Sequence, residues 1–180
     1  MNGEVFGKIS SFQTLGTLDG PGVRFVIFMQ GCPLRCACCH NPETWDLNSG
    51  KSFSASEIFA KITRYKEYFS QNGGVTISGG EPLVQPEFCT EIFKKCKENG
   101  IHTCLDTSGF ALSEKIKTVL EHTDYCMLDI KYTSGADYKK YVGCEYSSPL
   151  AFLDYLDEKG IATRLRQVII KGLNDSEESV

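Results

Sequence analysis

Short apolar runs alternate with amphipathic stretches along this chain, and the alternation predicts most of its elements. "VRFVIF" (23–28), rich in β-branched and aromatic residues, predicts a strand. In "SASEIFAKITRYKEYF" (54–69), Ser54 and Glu57 stand at capping-box spacing, and Ile58, Ile62, Tyr65 and Phe69 recur with helical period. "VTIS" (75–78) predicts a short buried strand running into "GGEP". Pro86 opens "PEFCTEIFKKCKENG", a helix that Asn99 and Gly100 should stop. "IHTCLD" (101–106) predicts a strand, "SEKIKTVLEH" (113–122) a helix and "YCMLDI" (125–130) another strand. Helical signal follows at 136–142 and 148–159, the latter ending at Gly160, and "ATRLRQVII" (162–170) predicts the last strand. Asp175 or Ser176 has the character of an N-cap for a helix just beginning as the chain ends.

Repeated βα units favour a parallel sheet with right-handed connections, either open or closed into a barrel. No repeat, low-complexity tract or linker divides the chain, so a single domain over 1–180 is expected.

Composition narrows the function. Hydrophobic residues make up 41% and charged residues 23%, an ordinary globular balance. The net charge is −4 and the lysines and arginines are scattered, which argues against nucleic acid or an anionic membrane as a partner. The N-terminal stretch has neither a basic segment nor a long apolar one, so no signal peptide is predicted. The longest apolar run, "VRFVIFM" (23–29), is too short to span a bilayer. A cytoplasmic protein is expected. Its nine cysteines then read as reduced thiols, some of them metal ligands, rather than as a disulfide framework.

The chemistry centres on "QGCPLRCACCHNPETWD" (30–46), where Cys32, Cys36 and Cys39 form C-x3-C-x2-C on a loop that directly follows a strand. Three thiolates so placed can hold three irons of a cubane [4Fe–4S] cluster, leaving the fourth iron open to a substrate or cofactor. Three plainer readings compete. A structural zinc site could recruit Cys38 or His40, although zinc sites usually join two separated ligand pairs. Cys36 and Cys39 also make a C-x-x-C, as in thiol oxidoreductases. The cysteines could also be small buried hydrophobes. Cys38, between two ligand positions, reads as a neighbour of the cluster rather than a fourth ligand. Cys89, Cys96, Cys104, Cys126 and Cys144 lack metal spacing and read as packing residues.

Four further features accompany the loop. Gly79 and Gly80 in "SGGEP" let the backbone approach a ligand closely, though a Gly pair is often only a turn. Asp106 ends one strand, where it could equally cap the next helix. Asp129 and Lys131 in "MLDIK" place opposite charges at one strand end, which suits a zwitterionic ligand. Arg166 lies inside an otherwise apolar strand and calls for a carboxylate, on the protein or on a ligand. Ligand sites in parallel α/β folds lie at the carboxyl ends of strands, so all these motifs should meet on one rim.

These residues resemble the radical S-adenosylmethionine superfamily and, within it, the pyruvate formate-lyase-activating enzymes. The likeness runs over nearly the whole chain and rests on "DGPGVRF" (19–25), the cysteine loop, "SGGEP", "GIHTCLDTSGF" (100–110) and "MLDIK" (127–131). It implies a partial parallel (β/α)6 barrel, here with about the last β/α unit missing together with a cofactor-contacting histidine. It also implies that Cys32, Cys36 and Cys39 hold a [4Fe–4S] cluster and that S-adenosylmethionine chelates its open iron. Cys38, Cys39 and His40 would border that cofactor. Gly79 and Gly80 would bind its amino end, and Asp129, Ile130, Lys131 and Arg166 its other polar groups. Asp106, Thr107, Met127 and Asp129 match a site for a monovalent cation. At Cys38 the family often has an aromatic residue, so no stacking is available from that position.

The implied reaction starts with one electron from a flavodoxin or ferredoxin. S-adenosylmethionine is then cleaved to methionine and a 5′-deoxyadenosyl radical, which takes a hydrogen from a glycine Cα of pyruvate formate-lyase, the glycyl-radical partner. A monomer is expected. Residues 40–79 contain no cysteine, which fits the pyruvate formate-lyase type rather than relatives with a ferredoxin-like insert. The nearest rival is an activase for anaerobic ribonucleotide reductase. A non-catalytic iron–sulfur electron carrier and a zinc-stabilised binding module are the rivals from other classes.

Overall fold

The computed structural model describes residues 3–177 and 179. Seven strands form one sheet: β1 (Phe6–Gly16), β2 (Arg24–Met29), β3 (Lys51–Ser54), β4 (Gly74–Gly79), β5 (His102–Thr107), β6 (Tyr125–Asp129) and β7 (Ala162–Arg166). Among the described residues five α-helices accompany them: α1 (Ala55–Thr63), α2 (Pro86–Glu98), α3 (Glu114–Leu120), α4 (Gly135–Tyr141) and α5 (Ser147–Glu158). The strand order is β3-β1-β2-β4-β5-β6-β7. From β2 onward every neighbouring pair is parallel, with Ile27 beside Ile77 and Ile77 beside Leu105. This is the sheet of the expected partial barrel.

Alternation along each strand sorts the side chains onto two faces. Phe25, Ile27 and Met29 of β2, Val75 and Ile77 of β4 and Leu128 of β6 face the helices. There they meet Ile58 and Ile62 of α1, Phe88, Ile92 and Phe93 of α2, Val119 of α3 and Phe152 of α5, all buried. The intervening residues face the other way and interact across strands, as in Arg24 with Thr76 and Ser78 with Asp106. Cys89, Cys96, Cys104 and Cys126 are wholly buried, in keeping with packing roles.

The structure departs from the sequence expectation in four places. β1 runs antiparallel to β2 and β3, and neither it nor β3 was expected. β1 is rich in Ser, Gln and Thr and carries two register irregularities, so no clean alternation marks it. α1 keeps its capping box between Ser54 and Glu57 but ends at Thr63, and a short 3-10 turn at Lys66–Tyr68 follows instead of further helix. The last strand stops at Arg166 rather than 170. Asn174 takes the backbone there, donating to Val168 O at 2.9 Å and accepting from Ile170 N at 2.6 Å. The helix expected after Asp175 or Ser176 would run into residues 178 and 180, which lie outside the described ones. Among the described residues no helix is long and apolar enough to cross a membrane.

Candidate functional site

A cavity of about 570 Å³ opens at the carboxyl ends of the parallel strands. That is the size of an ordinary cofactor site. The predicted motifs converge on it: the cysteine loop after β2, Gly79 and Gly80 after β4, Asp106 and Thr107 at the end of β5, Asp129 and Lys131 around the end of β6, and Arg166 ending β7.

The cysteine loop is shaped by hydrogen bonds from outside itself. Gly31 N donates to Thr44 O at 2.8 Å, Arg35 N to Val142 O at 3.0 Å and Ala37 N to Tyr141 O at 2.8 Å. The Arg35 guanidinium donates to Cys32 O and Leu34 O and lies over the Trp45 ring. A second, smaller apolar cluster backs the loop. Its buried members are Cys32, Leu34, Cys36, Tyr132, Tyr138 and Val142. All nine cysteines are free, and Cys32, Cys36, Cys38 and Cys39 line the cavity. Burial pushes the Cys32 thiol up to about 11 and the Cys36 thiol up to about 12, so iron must displace protons to bind there. His40 is exposed at the cavity rim.

Gly79 and Gly80 are required by close approach. Gly79 has φ +110°, and a Cβ there would sit 2.3 Å from Met29 N; one on Gly80 would sit 2.4 Å from Gly31 O. Any side chain would push the β4 loop off the cysteine loop, so the glycines hold two walls of the cavity together.

The charged wall is a linked set. The Ser78 hydroxyl donates to Asp106 Oδ2 at 2.8 Å, and Arg166 Nη2 donates to Asp106 Oδ1. Arg166 Nε donates to Asp129 Oδ1 and Lys131 Nζ to Asp129 Oδ2, each at 2.9 Å. Burial raises Asp106 to about 6, the nearby Arg166 opposing the shift. Burial disfavours the charge on Lys131, but Asp129 together with Cys36 and Cys38 raises its proton affinity overall, and Asp106 and Asp129 do the same for Arg166.

Two expectations take a different shape. Of the four residues matched to a monovalent cation, Asp106, Met127 and Asp129 do converge, but on the Arg166 guanidinium, whose Nη1 reaches Met127 Sδ at 3.7 Å. Thr107 turns away and donates to Glu81 Oε1 at 2.7 Å. Ile130 is packed against the main core, and its amide donates to Arg166 O, so its side chain does not line the cavity.

Glu81 was read only as part of a glycine motif, yet it is 1% exposed and lines the cavity. It accepts from Thr107 Oγ1, Ser108 N, Ser108 Oγ and Leu83 N, tying the loop after β4 to the loop after β5. Burial raises its proton affinity, and the four donors oppose the shift. Asp19 and Trp45 also line the cavity without having been singled out. The "DGPG" glycines and the lone tryptophan were the signals available for them.

The donor set fits a cubane better than a single ion. Among the described residues, no three Cys, His, Asp or Glu side chains converge on one point as a mononuclear metal would require. Three cysteines spread along one wall suit a centre whose irons each take a different thiolate. The opposite charges side by side on the charged wall suit a zwitterion.

Known proteins resemble this chain in sequence and in fold. A family model described as a 4Fe-4S single cluster domain matches residues 18–145. The chain is 45% identical over 177 residues to the pyruvate formate-lyase-activating enzyme of Clostridium pasteurianum, covering 98% of this chain and 74% of that protein. The chain belongs to the pyruvate formate-lyase-activating enzymes. Another member, the pyruvate formate-lyase 1-activating enzyme of Escherichia coli K12, is 41% identical over 178 residues, covering 97% of this chain and 72% of that one. Among solved structures, a domain of the activating enzyme from Bacteroides vulgatus superposes with a TM-score of 0.55 at 30% identity, over 59% of this chain and 66% of that one. Streptococcus suis SuiB bound to S-adenosylmethionine gives 0.64 at 18% identity, over 78% of this chain and 32% of that one, a likeness of fold. This activating enzyme therefore spans about three quarters of its curated relatives and carries the cysteine motif inside the matched region.

Proposed function

We propose that this chain activates pyruvate formate-lyase by installing a glycyl radical, with a [4Fe–4S] cluster and S-adenosylmethionine as cofactors. One observation carries the reading: Cys32, Cys36 and Cys39 face the same cavity as Gly79, Gly80, Asp106, Asp129, Lys131 and Arg166, brought together from the carboxyl ends of five strands. When bound, the reduced cluster and S-adenosylmethionine supply the one-electron chemistry that removes a hydrogen atom from a glycine Cα.

The chain's own residues do the rest. Cys32, Cys36 and Cys39 hold three irons, and the apolar cluster behind them keeps water off the sulfurs. Cys38 and His40 border the cofactor. The rigid glycine wall leaves backbone carbonyls for its ammonium group. Lys131 and Arg166 offer their charges to its carboxylate, and both are already oriented by Asp129. The Arg166 guanidinium neutralises Asp106 and Asp129, so a monovalent cation at that place would have to displace it. Glu81 keeps the glycine wall in register with Thr107 and Ser108. A cytoplasmic flavodoxin or ferredoxin delivers the electron, and the enzyme acts as a monomer.

Electron paramagnetic resonance tests this directly. The protein, reconstituted anaerobically with iron and sulfide and then reduced, should give a [4Fe–4S]+ signal that changes on adding S-adenosylmethionine. A signal indifferent to the cofactor would leave an electron carrier instead.

A further inference from the structure

Asn174 is 2% exposed, although it sits in a turn beyond the last strand, where an asparagine ordinarily faces water. Backbone groups occupy both arms of its side chain. Oδ1 accepts from Ile170 N at 2.6 Å, and Nδ2 donates to Val168 O at 2.9 Å and to Lys131 O at 3.2 Å. The first two bonds belong to the turn. Asp175 closes the same turn by accepting from Gly172 N at 2.9 Å, and the Leu173 and Asn174 amides both donate to Ile170 O. The third bond lies outside it and reaches back 43 residues to the end of β6.

Lys131, at the far end of that bond, is held at both of its peptide groups. Its amide donates to the hydroxyl of Tyr138, a buried residue of α4, at 2.9 Å, while its carbonyl accepts from Asn174. With both peptide planes fixed, its side chain leaves the backbone in one direction. It enters the cavity, where the ammonium donates to Asp129 Oδ2 at 2.9 Å. Leu173, beside Asn174, packs on the apolar cluster behind the cysteine loop, and Gln167 and Val168 line the cavity just ahead of the turn. A single buried side chain thus joins the segment after β7 to the backbone of a cavity cation. Removing it would leave buried backbone groups unpaired on both.

We propose that Asn174 is a positioning residue: it fixes the Lys131 backbone so that the ammonium is presented to the carboxylate of the zwitterionic cofactor. Lys131 meets the ligand, and Asn174 acts through it. A charge oriented before the ligand arrives binds it more tightly than one that must be ordered on arrival. The assignment rests on the cofactor reading above.

The test is calorimetric titration of the reconstituted enzyme with S-adenosylmethionine and with its decarboxylated form, which lacks only the carboxylate. The parent should prefer the carboxylate-bearing ligand. Asn174→Ala should bind S-adenosylmethionine about tenfold more weakly and the decarboxylated ligand as the parent does, with bound iron unchanged. Asn174→Asp keeps an acceptor for Ile170 N but has no proton for Lys131 O, so it should lose the same preference. Asp175→Ala loosens the same turn without touching Lys131 and should retain it. A preference unchanged in Asn174→Ala, or kept in Asn174→Asp, overturns the proposal. So does an equal loss in Asp175→Ala, which would reduce the effect to the stability of the turn. A parent that binds neither ligand overturns the cofactor reading and this assignment with it.

Discussion

The two ends of the parallel sheet each hold an arginine, and the two are satisfied in opposite ways. Arg24, at the amino end, is wholly buried, and among the described residues its side-chain partners are all uncharged acceptors. Its Nε donates to Thr76 Oγ1 at 3.0 Å, and its terminal nitrogens reach Pro21 O, Val75 O and His102 Nδ1. Thr76 in turn donates to Asp19 O, so the loop before β2 is pinned across this end. Burial lowers the proton affinity of Arg24, and Cys104, Cys96 and Asp124 oppose the shift in part. Arg166, at the carboxyl end, is a third exposed, paired with two carboxylates and turned toward the cavity. A charge enclosed by neutral acceptors closes one end of the molecule. A charge held by carboxylates at an open wall remains available to a ligand.

The sharpest way to break this comparison is at the cysteines. Cys32→Ala, Cys36→Ala and Cys39→Ala should each reduce bound iron and sulfide to background, while Cys38→Ala retains them; iron analysis decides. Equal loss at Cys38 would make it a ligand.

Next in size is Arg24→Met, which leaves buried acceptors unpaired and loosens the 19–22 loop. A loss of about 3 kcal/mol is expected in urea unfolding, from unsatisfied polar groups and imperfect packing together. Arg166→Met should lower stability by about 1 kcal/mol or less, because its pairs are partly solvated. It should instead abolish the spectral response to S-adenosylmethionine. If the two variants trade places, the assignment of roles to the two ends is wrong.

Glu81→Gln comes third. It keeps the volume and some hydrogen bonds but cannot accept from all four donors at once. Affinity for S-adenosylmethionine should fall about tenfold, or about 1.4 kcal/mol, with iron content unchanged. Normal affinity would confine Glu81 to folding.

The smallest effect belongs to His102. Its imidazole is held below its ordinary 6.5, first by burial and then by the Arg24 charge, although Asp124 opposes this. The unfolded chain therefore binds the proton more readily, and stability should rise with pH through that region and decline as pH falls below about 6.5. His102→Gln should flatten the slope in unfolding measured from pH 5 to pH 8. A slope unaltered by the substitution would move its origin elsewhere.

The same contrast explains what could be read from the chain before its structure. An arginine in an apolar strand was expected to seek a carboxylate, and Arg166 does so. Arg24 does not, because loop carbonyls and a threonine from a neighbouring strand converge on it, and no local pattern records that convergence. Four of the parallel strands, β2, β4, β5 and β6, were legible because both of their faces are largely buried and their sequences are mostly apolar, whereas β7 is largely exposed and its end was misplaced. β1 pairs at the sheet's antiparallel side, shows a half-exposed polar pattern and stayed hidden. At the site, the ligand-type residues announced themselves by chemistry and spacing. Glu81 and Asn174 did not, since their meaning lies in what surrounds them: four donors in one case and three backbone groups in the other.

The two backbone bonds from Arg35 and Ala37 to Val142 and Tyr141 have a consequence for biosynthesis. A ribosome releases the cysteines long before it makes the segment that gives their loop its shape. Iron arriving in that interval meets loose thiols free to bind in any register. Iron arriving after residue 142 has emerged meets a finished seat. Correct loading is therefore a question of timing, and the cell's iron–sulfur delivery machinery does best to come last.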